Sequence, residues 1–181
     1  MTDTPSPLAF AAPDDAAIPL HVIGEAEAEG WRAAQAPVTA DWAARLGFTG
    51  ALGQTHLLPT ETGAIAVTGY GTPEKRARDR FHLAQAAAAL PEGTYALATD
   101  LPAADLAEGA LGWLLAAYRF TRYKDAVPQS ARLVAPAGLD AARLDALAAG
   151  EARTRDLINT PAADMGPAAL EDAACTLAAA H

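Results

Sequence analysis

The 181-residue chain holds a single cysteine, Cys175, which excludes an internal disulfide and any multi-cysteine metal site. That usage fits a reducing, cytoplasmic setting. In an Ala-rich helical run, the thiol is expected to be a small buried hydrophobe. Basic residues are also scarce, with 13 Lys and Arg against 22 Asp and Glu and a formal net charge of −9. This balance opposes binding to DNA, RNA or anionic lipid, whose phosphates call for clustered cations. It suits an acidic, solvated surface. Aromatics amount to 6%, so the core must rest on a few large side chains: Trp31, Trp42, Phe48, Phe81, Trp113, Tyr118 and Phe120 are expected there. No apolar run reaches the roughly 20 residues that a bilayer crossing needs. Met1 to Pro7 show neither the basic nor the apolar region of a signal peptide. HExxH, paired CxxC, GxSxG and GxxxxGK[ST] are all missing. The four histidines, His21, His56, His82 and His181, share no ligand spacing and are expected to be structural or exposed.

What is present is an alternation of strand-like and helix-like segments. Apolar residues make up 51% of the chain, enough for a real core. Residues 1–17, rich in Pro, Asp and Ala, are expected to be a flexible leader. Ile18 to Ile23 suits a strand closed by Gly24. A short helix or turn follows over 25–36. Thr39 is a plausible N-cap for a helix from Ala40 to Leu46 that stops at Gly47. Gln54–Leu58 and Ala64–Thr68 flank the turn-like 59–63 and suggest a hairpin. Thr72-Pro73 opens a helix expected to run to about Leu90. A strand over Thr94–Ala98, a helix from Ala103 to Phe120 and a short strand over Arg132–Ala135 come next. Asp140 caps a long helix to about Ile158, and a last helix spans Pro167 to Ala180. The fold class is α/β, with helices against a mixed sheet.

Candidate chemistry is thin. Gly69-Tyr70-Gly71, between a strand and the helix opened by Thr72-Pro73, suggests an anion site using Gly69, Gly71 and Thr72. A third glycine is missing, however, and Pro73 removes one donor, so a tight turn is the competing reading. Asp100 and Asp105 are expected to flank the next helix. The interleaved run Tyr118 to Lys124 fits single-strand nucleic-acid binding less well than helix-end packing, with cations near the last carbonyls. Residues 74–80 alternate basic and acidic groups, as on an exposed ion-paired helix face.

The most informative stretch is Arg155-Asp156-Leu157-Ile158-Asn159-Thr160-Pro161, continued through Met165-Gly166-Pro167 to Leu170. RDLINTPAADMGPAAL closely resembles the segment that opens the catalytic domain in the leucyl aminopeptidase (cytosol aminopeptidase) family. Upstream, Gly112, Tyr118, Phe120 and Tyr123 resemble that family's Gly-x-x-x-x-x-Tyr-x-Phe-x-x-Tyr run. The resemblance implies a macro-type mixed sheet over 18–136, a connector helix over 137–160, and the start of a catalytic domain over 161–181. It implies a parent enzyme that is a homohexamer, removes N-terminal residues from peptides and holds two divalent ions (zinc, manganese or magnesium). The ligands of those ions map to no position in this chain, which is therefore expected to hold no metal and to be inactive alone, with its own catalytic domain as partner. Two other readings are a freestanding macro-like module that binds a small anion or nucleotide near Gly69 to Thr72, and an interaction domain using the final helix.

Overall fold

The computed structural model describes residues 8–180, apart from the side chain of Ala180. Most of the expected leader (Met1 to Pro7) and His181 lie outside the described residues. Five strands form one sheet: β1 Ile18–Gly24, β2 Thr55–Pro59, β3 Ala64–Gly71, β4 Gly93–Leu97 and β5 Ala131–Leu133. Their order is β2-β3-β1-β4-β5. β1 runs parallel to β3 and β4, β4 runs parallel to β5, and only β2, the hairpin partner of β3, is antiparallel.

Central β1 explains the two-layer core. Its alternate side chains point to opposite faces. Leu20 and Val22 join Ala66, Tyr95 and Trp113 on one face, while Ile23 joins Val67, Leu58 and Phe48 on the other. Helices α1 (Ala28–Ala33) and α2 (Pro37–Arg45) supply Ala28 and Ala43 to the second layer. The first layer is closed by α4 (Leu83–Ala89) and α5 (Ala103–Ala116), with Leu144 and Ala148 of α6 (Ala141–Asn159) behind. Between β3 and α4 lies the four-residue α3 (Pro73–Arg76), and α7 (Pro167–Ala180) ends the described chain.

Several expectations need correction. Thr39 does not cap α2. Pro37 occupies the first turn after Ala36, and the buried Thr39 hydroxyl donates to the Pro59 carbonyl at 2.8 Å. The helix expected from Thr72 to Leu90 breaks after Arg76. Phe81, at φ +60°, is the one non-glycine in the left-handed region among the described residues. It is held there by its N–H to Glu108 Oε1 (3.2 Å) and by Gly112 of α5, whose Cβ would meet the Phe81 Cα at 3.0 Å. The helix expected to reach Phe120 ends at Ala116. Arg119 Nη1 donates to the carbonyls of Ala116 and Tyr118, both at 2.7 Å, so the cation sits on the helix end. Of the expected aromatic core, Phe48 and Trp113 are buried, Trp42 is 46% exposed, and Tyr95 was missed although it is fully buried. Cys175 is exposed. Residues 8–17, expected to be leader, run beside the sheet: Ala11 bridges Val134, and its N–H donates to the Leu133 carbonyl at 2.8 Å.

Candidate functional site

Two places gather the residues that the sequence singles out. The first is a cleft of about 520 Å³ at the C-terminal ends of β1, β3 and β4. Ligands of open α/β sheets characteristically settle at such strand ends, where neighbouring connections leave in different directions. The cleft floor is Val22, Ile23 and Gly24. Tyr70, Gly71, Thr72 and Arg76, residues 99–102 with Asp105, and Glu27 line its sides.

The Gly-Tyr-Gly turn does not offer the donors that an anion would need. Gly69 N–H donates to the Gln54 carbonyl and Gly71 N–H to the Gly50 carbonyl, each at 2.8 Å. Both glycines serve close approach instead. A Cβ on Gly69 would lie 1.9 Å from the Ala51 carbonyl oxygen, and one on Gly71 2.9 Å from Leu52 Cβ. The loop carrying residues 50–54 thus packs its backbone directly on β3, where only glycine fits. Thr72 caps α3 by accepting the Lys75 N–H at 3.4 Å, but that helix is a single turn. This corrects the anion reading at Gly69 and Gly71, whose N–H groups already hold the loop.

The residue that sequence reasoning missed is Arg76. Its Nη1 donates to the carbonyls of Tyr70 (3.0 Å) and Gly71 (3.4 Å), and its guanidinium carbon stands 4.3 Å from the Tyr70 ring centroid. No motif announces it, because β3 and α3 meet only through the turn at Gly71. Tyr70 ionises above the usual phenol range, through burial first and then the charge of Asp105. Asp105 sits in the first turn of α5, after Pro102, which makes no side-chain cap. Asp100 precedes this helix as expected, whereas Asp105 lies within it, and no side chain caps its start. The basic residues of 74–80 pair across elements, Lys75 with Glu25 at 2.6 Å and Arg80 with Glu108 at 2.7 Å.

The second place is a junction. The stretch after α5 and the end of α6, which carry the two resemblances, are bonded to one another. Tyr118 donates its hydroxyl to Asp156 Oδ1 at 2.8 Å and accepts from Asn159 Nδ2 at 3.1 Å. The Arg155 guanidinium lies 5.4 Å from the Tyr118 ring centroid. Tyr123 bonds Asp164 beyond the helix end. That hydrogen bond is the first cause of the raised pKa of Tyr123, whereas burial comes first for Tyr118. Pro161 stops α6 because the residue before a proline avoids the α region. Thr160 is extended there, with its hydroxyl donating to the Asp156 carbonyl at 2.7 Å. The arrangement is a hydrogen-bonded joint and contains no reactive pair.

His21 and His56 are held below the usual imidazole range by burial. Among the described residues, no group of three or more His, Cys, Asp or Glu side chains converges to hold a metal ion. The described residues do not fit the two-metal centre that the resemblance implies. No helix among the described residues is long and apolar enough to cross a membrane.

Residues 18–136 match the M17 aminopeptidase, N-terminal domain family. The cytosol aminopeptidase of Coxiella burnetii has a similar structure, with a TM-score of 0.83 at 27% identity over 94% of this chain and 37% of that one. A tomato leucine aminopeptidase mutant gives 0.68 at 20% identity, over 99% of this chain and 43% of that one. The bottromycin maturation enzyme BotP, in complex with Mn, gives 0.65 at 22%, over 91% and 36%. The last two likenesses concern the fold alone. No curated protein sequence matches the chain. The chain spans less than half the length of these enzymes. With the match covering all five strands, the chain belongs to the M17 aminopeptidase N-terminal domain family, and its five-stranded mixed sheet flanked by helices is that domain's fold.

Proposed function

We propose that the chain is the non-catalytic N-terminal portion of a leucyl-aminopeptidase-like metallopeptidase, and that it positions the catalytic domain that follows. Residues 18–136 form the α/β domain, 137–160 the connector helix and 161–181 the opening of the catalytic domain. The observation that carries this reading is the joint. Tyr118 is tied to Asp156 and Asn159, and Tyr123 to Asp164. The direction in which α6 leaves the sheet is thereby set from two anchor points. The packing of Ala148 and Leu144 under α5 stiffens it further. Beyond the joint, α7 exposes Leu170 and Leu177, as a helix does when the rest of its layer comes from elsewhere in the protein.

In this reading the parent protein is a cytoplasmic homo-oligomer, a hexamer by the family resemblance, that acts on peptides with two divalent ions (zinc, manganese or magnesium). The metal chemistry and peptide binding belong to the catalytic part, and this chain alone turns over nothing. The test has two arms. The mass of the native polypeptide carrying this sequence is expected to be well over twice 18.6 kDa, with manganese-dependent release of leucine from leucine p-nitroanilide. The 181-residue chain with manganese is expected to release none. A native product of 18.6 kDa, or turnover by the chain alone, refutes the proposal.

A further inference from the structure

The sheet ends on the three-residue strand β5, and residues 8–11 lie against its outer edge. They are tied to β5, to α6 and to the joint. Ala11 N–H donates to the Leu133 carbonyl at 2.8 Å. Arg132 Nη2, also on β5, donates to the carbonyls of Ala9 at 3.0 Å and Phe10 at 3.2 Å. Phe10 N–H donates to Asp145 Oδ1 of α6 at 3.2 Å, and Phe10 packs against the first core layer. Leu8 lines a hollow of about 240 Å³ with Tyr118 and with Ala152 and Asp156 of α6.

These ties differ in what they do. The bond at Ala11 covers a sheet edge, which folded proteins characteristically protect. The bond to Asp145 acts on α6. Asp145 lies near the start of that helix, whereas the Tyr118 bonds hold its end at Asp156 and Asn159. At 1.5 Å per residue, Asp145 and Asp156 are roughly 16 Å apart along the axis. A helix tied near both ends keeps one direction, and a helix tied at one end can pivot there. Residues 8–11 are nevertheless only partly buried, and residues 12–16 are exposed. The exposed stretch turns through Asp14, whose Oδ1 accepts the Ala16 N–H at 2.9 Å. Few buried contacts and solvent-accessible hydrogen bonds are what local opening requires. We propose that residues 8–11 are a releasable strap on α6. Seated, the strap and the joint together fix the direction of the helix. Lifted, it leaves the first half of α6 to its packing on α5. A segment 135 residues earlier in the chain thus controls how α6 is aimed. The strap bears on the proposed function only through that aim, which would be the aim of the catalytic domain.

Amide hydrogen exchange on the 181-residue chain and three variants tests this. Removing residues 2–11 should speed exchange over residues 145–152 about tenfold or more, with the amides of β1 and β3 unchanged. Removing residues 2–7, which keeps the strap, should leave every rate as in the full chain. Asp145→Ala removes the acceptor of the Phe10 N–H and installs a better helix former. Faster exchange in α6 of that variant, about threefold or more, therefore reports the lost tie and not a weaker helix. The longer deletion decides the matter. If it unfolds the chain, so that β1 exchanges faster as well, Asp145→Ala decides instead. Unchanged α6 rates in the deciding variant overturn the proposal, and faster exchange confined to residues 131–133 does the same, because the segment is then an edge cover only. Equal speeding by the shorter deletion also overturns it. Neither arm measures peptide hydrolysis. The strap can fail while the aminopeptidase reading stands, and a native product of 18.6 kDa would sink that reading and leave the strap in place.

Discussion

Gly69→Ala separates a structural from a ligand-binding reading of the Gly-Tyr-Gly turn. The new Cβ would sit 1.9 Å from the Ala51 carbonyl oxygen, with the carbonyl carbons of Gly50 and Ala51 at 2.7 and 2.8 Å. All three are backbone atoms, so no side-chain rotation relieves the overlap. The loop must move off β3 by more than an ångström. That movement breaks the hydrogen bonds from Gly69 N–H to Gln54, from Gly53 N–H to Gly69 and from Gly71 N–H to Gly50, at 2.8, 3.0 and 2.8 Å. At about 1 kcal/mol net for each, the loss is about 3 kcal/mol. For a domain of this size that lowers Tm by about 6–12 °C. Circular dichroism on heating measures it, with Gly63→Ala as control, since a Cβ there meets nothing within 4 Å. If Gly69→Ala melts with the wild type, the loop is not seated on β3 and the correction to the anion site collapses.

Three further outcomes are expected. Trp113→Ala removes a side chain that is 1% exposed and donates to the Ala131 carbonyl at 3.3 Å. It should cost about 3–5 kcal/mol by urea unfolding, and a loss under about 1 kcal/mol would contradict the core assignment. Tyr118→Phe removes the hydroxyl that joins Asp156 to Asn159. It should cost no more than about 0.5–1 kcal/mol, because the joint is solvent-exposed. Tryptic cleavage after Arg153 and Arg155 should nonetheless quicken, and an unchanged cleavage rate argues against the joint. The pKa values of His21 and His56 are lowered by burial, so the unfolded chain binds protons that the folded one resists. Their contribution is complete above the ordinary imidazole value of 6.5 and is lost as pH falls through 6.5 towards the lower folded values. The urea midpoint should therefore drop between about pH 7.5 and about pH 5.5, and less steeply in a His21→Gln, His56→Gln double variant.

The strands were readable because local pattern and tertiary need agree on them. The start of β1 at Ile18 and the turn between Pro59 and Ala64 lie where β-branched runs and Gly or Pro punctuation place them. The helix ends were less readable, since they answer to contacts made elsewhere. Thr39 has cap chemistry, yet its hydroxyl is claimed by Pro59, 20 residues away. Residues 73–90 are continuous in helix propensity. The break at Phe81 is imposed by Glu108 and Gly112 on another helix. Trp42 illustrates a different limit. Its spacing on α2 places it four residues after Val38 and four before Leu46, and all three are exposed, while Thr39 and Ala43 face inward. Hydrophobicity marks both faces of such a helix and cannot say which one meets the sheet.

Glycine misled in a related way. A glycine after a strand and before a helix is compatible with a ligand approaching the backbone and with another segment of the chain doing so, because both need the space of a missing Cβ. Here the segment is the loop over 50–54, and the same event that removes the Gly69 and Gly71 donors builds the neighbouring cleft. Seating that loop helps hold the end of β3, and so Tyr70 and Gly71, in place. Those two residues offer the carbonyls that orient Arg76. The cleft therefore depends on residues spread from Val22 to Asp105, none at motif spacing. The joint could be read from sequence because its two halves each resemble a family segment. That Tyr118 and Tyr123 meet Asp156 and Asp164 requires the C-terminal ends of α5 and α6 to lie side by side, which the packing of Leu144 and Ala148 against the α5 layer brings about. Residue types identified the two halves, and only the fold shows that they are one structure.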